Sequence, residues 1–411
     1  MKKAKWMLSI LAAGLVTTAV LVGCSGDEEP AISLVSFTAD GVDINGASSA
    51  TGIPTGATLV ATFNVDIDPS SAAAISLTRS FDEAAIDADI TVNGKEVTID
   101  PADDFSTGTL VVVYFDNNSF KTKAGNTAKF AFERSFTTEG TFAVPGAIAH
   151  WTFEDTGVDI IGGKGPAANG TVDVTYVDGR KAEAGKAASF NGTTSIMEIP
   201  NGSSLMHNGS WALSVWAKAN STLGKGQFVL GLGAFYGFQF EINGGYGNFK
   251  LAAGYTNGTT DYSEDMWADG TGNLGWKGWT YSKDFGATTM SPSIKDVWAH
   301  YVFVYDATAK TGTVYLNGEK VKSQDFNNWD TNDPKYTTTG LKWRGAAPDV
   351  LDELAFGFIQ SRGGTLWDTE PWGGYDQPGA NHFHGLLDDV IVYHKVLTAG
   401  EVSAMYNSGK P

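Results

Sequence analysis

The chain alternates apolar and polar residues in short runs, and almost nowhere carries the three-to-four residue spacing of an amphipathic helix. Leu59-Val60-Ala61-Thr62-Phe63-Asn64-Val65 reads as a strand with one buried face. Ile90-Thr91-Val92 and Val97-Thr98-Ile99 flank Asn93-Gly94, which predicts a hairpin with a type I′ turn. Leu110 to Phe115 is a continuous apolar run, the pattern of a strand buried between two sheets, and Phe130 to Phe136 alternates again. Further on, Val302-Phe303-Val304-Tyr305 and Thr313-Val314-Tyr315-Leu316 bracket a turn, and Asn317-Gly318 starts a hairpin into Glu319-Lys320-Val321. Only the end reads as helical: Thr398 stands at an N-cap with Glu401 three residues on. The prediction is all-β.

Two shifts in pattern divide the chain. Residues 32–140 hold about seven short strands, the size of an Ig-like sandwich. Residues 141–147 read as a linker. From 148 to 411 the strands lengthen and tryptophan becomes frequent. Composition agrees with this reading. There are 50 glycines, and nine Asn-Gly pairs are spread along the chain, a residue pair that tolerates the positive φ of tight hairpins.

The amino-terminal end is of another kind. Lys2, Lys3 and Lys5 precede an apolar run from Trp6 to Val22, then Leu21-Val22-Gly23-Cys24 and an acidic stretch from Asp27 to Glu29. This is a secretory signal covering residues 1–23. Its end resembles the lipobox of bacterial lipoproteins, which implies lipidation of Cys24 and a polar tether over 24–31. The resemblance implies anchoring to the outer membrane, facing the cell exterior. A transmembrane span is the rival reading, at the lower limit of length. Cys24 is the only cysteine, so no intrachain disulfide forms. The formal net charge is −18, with no acid in the signal to offset its lysines. That charge repels nucleic acid and anionic membrane surfaces, and suits a neutral ligand or divalent cations.

The first domain resembles the bacterial Ig-like family of surface-layer proteins. Pro54-Thr55-Gly56-Ala57, Phe63 with Asp66 and Asp68, Ile99-Asp100-Pro101, Gly125-Asn126 and Ser135-Phe136-Thr137-Thr138 carry the likeness. It implies a spacer without chemistry. The second domain resembles the concanavalin A-like, laminin-G type jelly roll. His150-Trp151-Thr152-Phe153-Glu154-Asp155 matches the opening strand, with Asp159 ahead of Gly162-Gly163. Gly185 to Gly192, Trp211 to Trp216, Trp298-Ala299-His300-Tyr301, Val314 to Gly318 and Gly385 to Tyr393 follow in the family's order. Two stretches depart from it, about 255–295 and 323–384.

Those two stretches hold seven of the twelve tryptophans: Trp267, Trp276, Trp279, Trp329, Trp343, Trp367 and Trp372. The core uses Trp151, Trp211, Trp216 and Trp298. Asp, Asn, Gly and Tyr375 surround the seven, the mixture that stacks on a sugar's C–H face and bonds its hydroxyls. The competing reading is that long loops need small cores of their own, and for any single tryptophan the two weigh about equally. Lys342, Arg344 and Arg362 are candidates for charged contacts. The jelly-roll resemblance also implies a structural Ca²⁺ between the first and last strands, held by Glu154 or Asp155 and by Asp388 or Asp389. Strand alternation lets only one of each pair face the ion. His382-Phe383-His384 puts two imidazoles on one strand face, a metal pair in the less probable reading.

No nucleophile elbow and no zinc-protease helix occur. The Glu-x-Asp-x-x-Glu strand of related glycanases is absent, and Asp349-Val350-Leu351-Asp352-Glu353 lacks its spacing. The expectation is a lipid-anchored surface protein that binds a polysaccharide without turning it over. Its alternatives are an adhesin for a protein partner, and a jelly-roll glycoside hydrolase or lyase.

Overall fold

The structure is a computed structural model that describes residues 30–46, 49–81, 83–129, 131–275, 277–286 and 289–411. The signal, Cys24, Phe130 and Trp276 lie outside the described residues. Among those residues no helix is long and apolar enough to cross a membrane.

The amino-terminal sandwich has two five-stranded sheets. One runs β2 (Val42–Asp43), β1 (Leu34–Ala39), β4 (Leu59–Phe63), β8 (Glu96–Pro101), β7 (Ala88–Asn93). The other runs β3 (Ala50–Ile53), β10 (Phe132–Thr138), β9 (Leu110–Phe115), β5 (Ile75–Arg79), β6 (Ala85–Ile86). Phe37, Phe63, Phe115, Phe120 and Phe136 are fully buried between them, with Phe63 edge-on to Phe115 at 5.8 Å. β9 differs from expectation. Val111, Val113 and Phe115 are buried, but Leu110 and Tyr114 face water, so only one face of this apolar strand is covered. The β7–β8 turn also differs. Asn93 pairs with Glu96, so Gly94 and Lys95 form the turn, and only Gly94 has positive φ, at 60°. That is the type II′ pattern. In the second domain Asn317 and Gly318 do form a type I′ turn, at φ 52° and 80°.

The carboxy-terminal domain packs a nine-stranded sheet on an eight-stranded one. The larger runs β13 (Thr175–Asp178), β14 (Lys186–Asn191), β27 (His384–Tyr393), β16 (Trp211–Ala219), β22 (Trp298–Asp306), β23 (Thr311–Leu316), β24 (Glu319–Asp325), β21 (Trp279–Ser282), with β11 (Ala147–Trp151) also on β27. The smaller runs β12 (Thr171–Val172), β15 (Ile196–Pro200), β26 (Glu353–Phe356), β17 (Gln227–Gly231), β18 (Phe238–Ile242), β19 (Phe249–Thr256), β20 (Asp261–Ala268), with β25 (Gly340–Leu341) on β19. Inward-facing Trp151, Trp211, Phe240, Phe249, Tyr301, Phe303 and Phe356 fill the space between. Trp298 is only half-buried.

The two departures from the family pattern are therefore not simple loops. The first supplies β20 and β21, and the second supplies β26 in the middle of the smaller sheet. The rest of the second, from 357 to 383, lies over that sheet's outer face. There Phe358, Ile359 and Ala380 close on Ile196 and Phe228.

The outer face of the larger sheet is covered as well. Helix α1 (Ala399–Gly409) starts in the expected capping box, with Thr398 and Glu401 bonded reciprocally. Its Val402 and Met405 pack with Phe142 and Val144 onto Ala212, Val304 and Tyr393. Residues 142 and 144 are thus anchored, and the Phe142 ring meets Phe81 of the first domain at 4.6 Å.

Candidate functional site

The smaller sheet's outer face also carries a polar strip on β18, β19 and β20. Alternation sends Phe238, Phe240, Phe249, Leu251 and Met266 into the core, and so turns Gln239, Glu241, Lys250, Asp265 and Trp267 outward. Register aligns them in rows: Glu241 opposite Lys250, and Lys250 opposite Trp267. The Lys250 ammonium is 3.4 Å from Glu241, 3.7 Å from Asp265 and 5.2 Å from the centre of the Trp267 ring. Burial pushes the Glu241 carboxyl upward, and the charge of Lys250 works against that shift. Asp265 is nearly half exposed, at 46% of its side chain. Trp267 is half-buried. At one end of this strip Arg344 lies over the Tyr236 ring at 5.4 Å, and Lys342 pairs with Asp261 at 2.9 Å.

The other predicted aromatic residues are placed differently. No tryptophan among the described residues is exposed. Trp329 is buried against Phe326, at 5.4 Å and nearly parallel. Trp279 is half-buried under the Lys322 ammonium, which is 3.3 Å from its ring centre, and its Nε1 has no hydrogen-bond partner among the described residues. Trp343 packs against the main core. Trp367 and Trp372 meet at 5.0 Å and, with Tyr375, cap the cluster around Phe228 and Phe358. Trp329 and Trp343 thus join the main core, and Trp367 and Trp372 serve a small core of the added segment's own. Arg362 is also spent internally: its Nε and Nη2 donate to Glu198, and its Nη2 to the Asn169 carbonyl. Trp267 stands apart because its strand belongs to the sheet itself.

The four acids assigned to calcium are not gathered into a cage. Among the described residues no group of three or more His, Cys, Asp or Glu is arranged to hold a metal. Glu154 accepts from the Lys186 backbone N–H, and Asp155 pairs with the Lys186 ammonium at 2.7 Å. Asp388 and Asp389 both face the same way, against the alternation rule. A bulge in β27 between its pairings with Ser214 and Trp216, with Asp389 at φ 41°, turns both onto the outer face. There the Arg180 guanidinium donates to both, and His150 Nε2 meets Asp389 at 2.5 Å. Arg180 also donates to the Gly409 carbonyl at 2.7 Å and lies 4.7 Å over the Trp216 ring. Burial and the neighbouring Asp389 push the Asp388 carboxyl up. His150 and Arg180 outweigh burial at Asp389 and hold it well below the usual range. The Arg180 guanidinium thus faces both carboxyls at once. Nothing in the sequence near Arg180 pointed to this role.

The two histidines expected on one face are also separated in use. His382 is buried with Nε2 on the Tyr375 carbonyl, and His384 Nδ1 meets Thr222 Oγ1 at 3.1 Å.

Comparison with known proteins now bears on these two domains. A bacterial Ig-like domain family matches residues 41–138, and the concanavalin A-like lectin/glucanases superfamily matches residues 191–356. The chain joins a bacterial Ig-like domain to a concanavalin A-like one. The second match ends at Phe356, the last residue of β26, so the capping segment 357–383 lies beyond it. No curated protein matches the chain.

Among solved structures, the binding domain of Paraclostridial Mosquitocidal Protein 1 is 17% identical, over 64% of this chain and 52% of that one, with a TM-score of 0.42. The receptor binding domain of botulinum neurotoxin D is 13% identical, over 64% and 52%, at 0.41. The botulinum neurotoxin serotype D ligand binding domain, solved in complex with N-acetylneuraminic acid, is 13% identical, over 64% and 50%, at 0.40. The chain spans about half the length of these structures.

Proposed function

We propose that the concanavalin A-like domain binds a polysaccharide, without hydrolysing it, across the outer face of β18, β19 and β20. One observation carries this reading: Trp267, Lys250, Glu241 and Asp265 stand together on adjacent strands of the outer sheet face, with the Asp265 side chain nearly half exposed. An indole offers a flat surface to the C–H face of a pyranose, and the flanking charges bond hydroxyls on either side. The capping segment with Trp367 and Trp372 borders the strip. A sheet face three strands wide suits an extended chain more than a single ring.

The acids of the strip raise a second reading, glycoside hydrolysis, because Glu241 has a raised pKa and Asp265 lies on the next strand but one. Lys250 argues against it. Its ammonium lies 3.4 Å from Glu241 and 3.7 Å from Asp265 and so takes up the space a scissile bond would need between the two carboxyls.

In this proposal the Ig-like domain is a spacer, and lipidated Cys24 ties the chain to the outer membrane with the binding domain facing outward. Replacing Cys24 with Ser should shift the protein from the membrane fraction to the soluble one. The test of binding is retention in gels containing neutral polysaccharides. W267A should lower affinity by about tenfold, the loss of ~1–2 kcal/mol typical of a stacked anchor. Release of reducing ends by the wild type would establish the hydrolytic reading instead. Equal retention of W267A and wild type would remove the sheet face as the site.

A further inference from the structure

A separate cleft of about 360 Å³ opens beside the capping segment, between the loop after β14, the loop after β16 and residues 375–382. Thr193, Thr194, Leu223, Lys225, Tyr375 and His382 line it. Its volume lies within the range of small-molecule sites and admits one or two sugar rings rather than a long chain. One wall is built from fixed parts. The Tyr375 hydroxyl donates to the Thr194 carbonyl and so ties the capping segment to the β14–β15 loop. The Lys225 ammonium donates to the Ala380 carbonyl. His382 is 2% exposed and is held between the Phe358 ring, stacked at 4.4 Å, and the Tyr375 ring, edge-on at 4.8 Å.

The state of His382 can be read from its partners. Its Nε2 lies 2.8 Å from the Tyr375 carbonyl oxygen, which can only accept, so Nε2 carries the proton. Burial lowers the pKa of the ring and keeps it neutral. Nδ1 is then a lone-pair acceptor, and among the described residues it has no hydrogen-bond partner. A buried acceptor left in that condition costs about 1–3 kcal/mol. A hydroxyl donor reaching it recovers that energy. The charged groups at the cleft, Lys225 and the exposed Asp376, are of opposite sign, so the lining selects for neither an anion nor a cation.

We infer that this cleft is a second carbohydrate site, one that takes the neutral terminal sugar of a glycan, with a ring hydroxyl donating to His382 Nδ1. The inference rests on the polysaccharide reading for its ligand class, but on different residues for its site. A chain laid along the strip and a chain end held here would be recognised by one domain in two ways.

The test uses the full chain in a detergent that contains no sugar, with histidine ring nitrogens labelled with ¹⁵N. Methyl glycosides of glucose, galactose, mannose and N-acetylglucosamine are titrated in turn, with glycerol as the polyol control. At least one glycoside should move the His382 Nδ1 resonance saturably, in the direction of hydrogen-bond acceptance, while glycerol should not. H382F keeps the stack on Phe358 and removes the acceptor. L223W fills the mouth from an exposed loop position and leaves the wall intact. L223W should weaken the binding read at His382 by about tenfold or more, and H382F should weaken glycoside binding by as much in calorimetry.

If polysaccharide is retained through Trp267 but no glycoside moves His382, the cleft is not a sugar site and the sheet-face reading stands. A saturable shift at His382 without polysaccharide retention leaves the cleft and removes the sheet face. A response to glycerol equal to that of the glycosides overturns the cleft's selectivity for sugar. Tight glycoside binding retained by L223W overturns its location.

Discussion

Replacing Arg180 with Met tests the buried charge cluster beneath helix α1. Arg180 has side-chain exposure of 1%, as does Asp388, and the guanidinium is the cation that touches both Asp388 and Asp389. Methionine keeps much of the volume over Trp216 but leaves the carboxylates without their counter-charge. Removing one partner of a buried ion pair costs about 3–5 kcal/mol. For a domain of this size that lowers the melting temperature by roughly 6–20 °C, at ~2–4 °C per kcal/mol. The pH dependence is the sharper test. In the wild type Asp389 is held below its unfolded value, so its contribution is present above the ordinary carboxylate range and is lost as pH falls. Without Arg180 the carboxyl keeps its His150 bond but loses the charge and the hydrogen bond of the guanidinium, so less of that contribution remains. The gap between variant and wild type should therefore be wider above the ordinary carboxylate range than below it. Urea unfolding followed by tryptophan fluorescence at pH 3, 4.5 and 7.5 measures this gap. Tryptophan reports the second domain, because the described part of the first has none. A variant with an unchanged midpoint at pH 7.5, or one destabilised equally at pH 3 and 7.5, would refute the reasoning.

Three further outcomes are expected. G278A should destabilise by ~3 kcal/mol or more in thermal unfolding. A Cβ there would lie 1.9 Å from the Trp329 ring, and Gly278 has φ of 88°. T398A should remove the α1 cap and cost about 1 kcal/mol by urea unfolding, with T398S restoring most of it. Because Arg180 already pairs with Asp388 and Asp389, adding Ca²⁺ and then EDTA should leave the second domain's melting curve in place; a rise with Ca²⁺ reversed by EDTA would mean that the acids still bind the ion.

Much of the fold was legible because it rests on local signals. The alternation of β4, the β7–β8 hairpin, the Asn317-Gly318 turn and the Thr398 capping box each lie within a few residues of chain. What was not legible depends on partners distant in sequence. β26 is four residues long and becomes a central strand only because β15 and β17 flank it. β9 reads as apolar on both faces, yet the sandwich covers only one. Asp388 and Asp389 escaped the alternation rule through a bulge that no local pattern announces. At the candidate site, tryptophan content marked the two added segments without separating the rings that pack into cores from the one carried on an outer sheet face. Trp329 and Trp367 sit among aromatic neighbours that close over them, whereas Trp267 is carried on a regular strand opposite Lys250. The outward row on β18–β20 was available from alternation alone, had residues 255–268 been read as strands.

The pairing of β11 with β27 has a mechanical consequence. The strand that leads in from the Ig-like domain lies antiparallel to the strand that precedes the terminal helix, from Ala147 opposite Tyr393 to Trp151 opposite Val390. Beside that ladder, Thr141 donates to Asp389 at 3.2 Å. A pull transmitted along the chain from the first domain enters at this short seam and at Phe142 and Val144, which helix α1 covers. Tension between the two domains would therefore load the Thr141–Asp389 bond and the contacts of helix α1 before it reached the inner strands of either sheet.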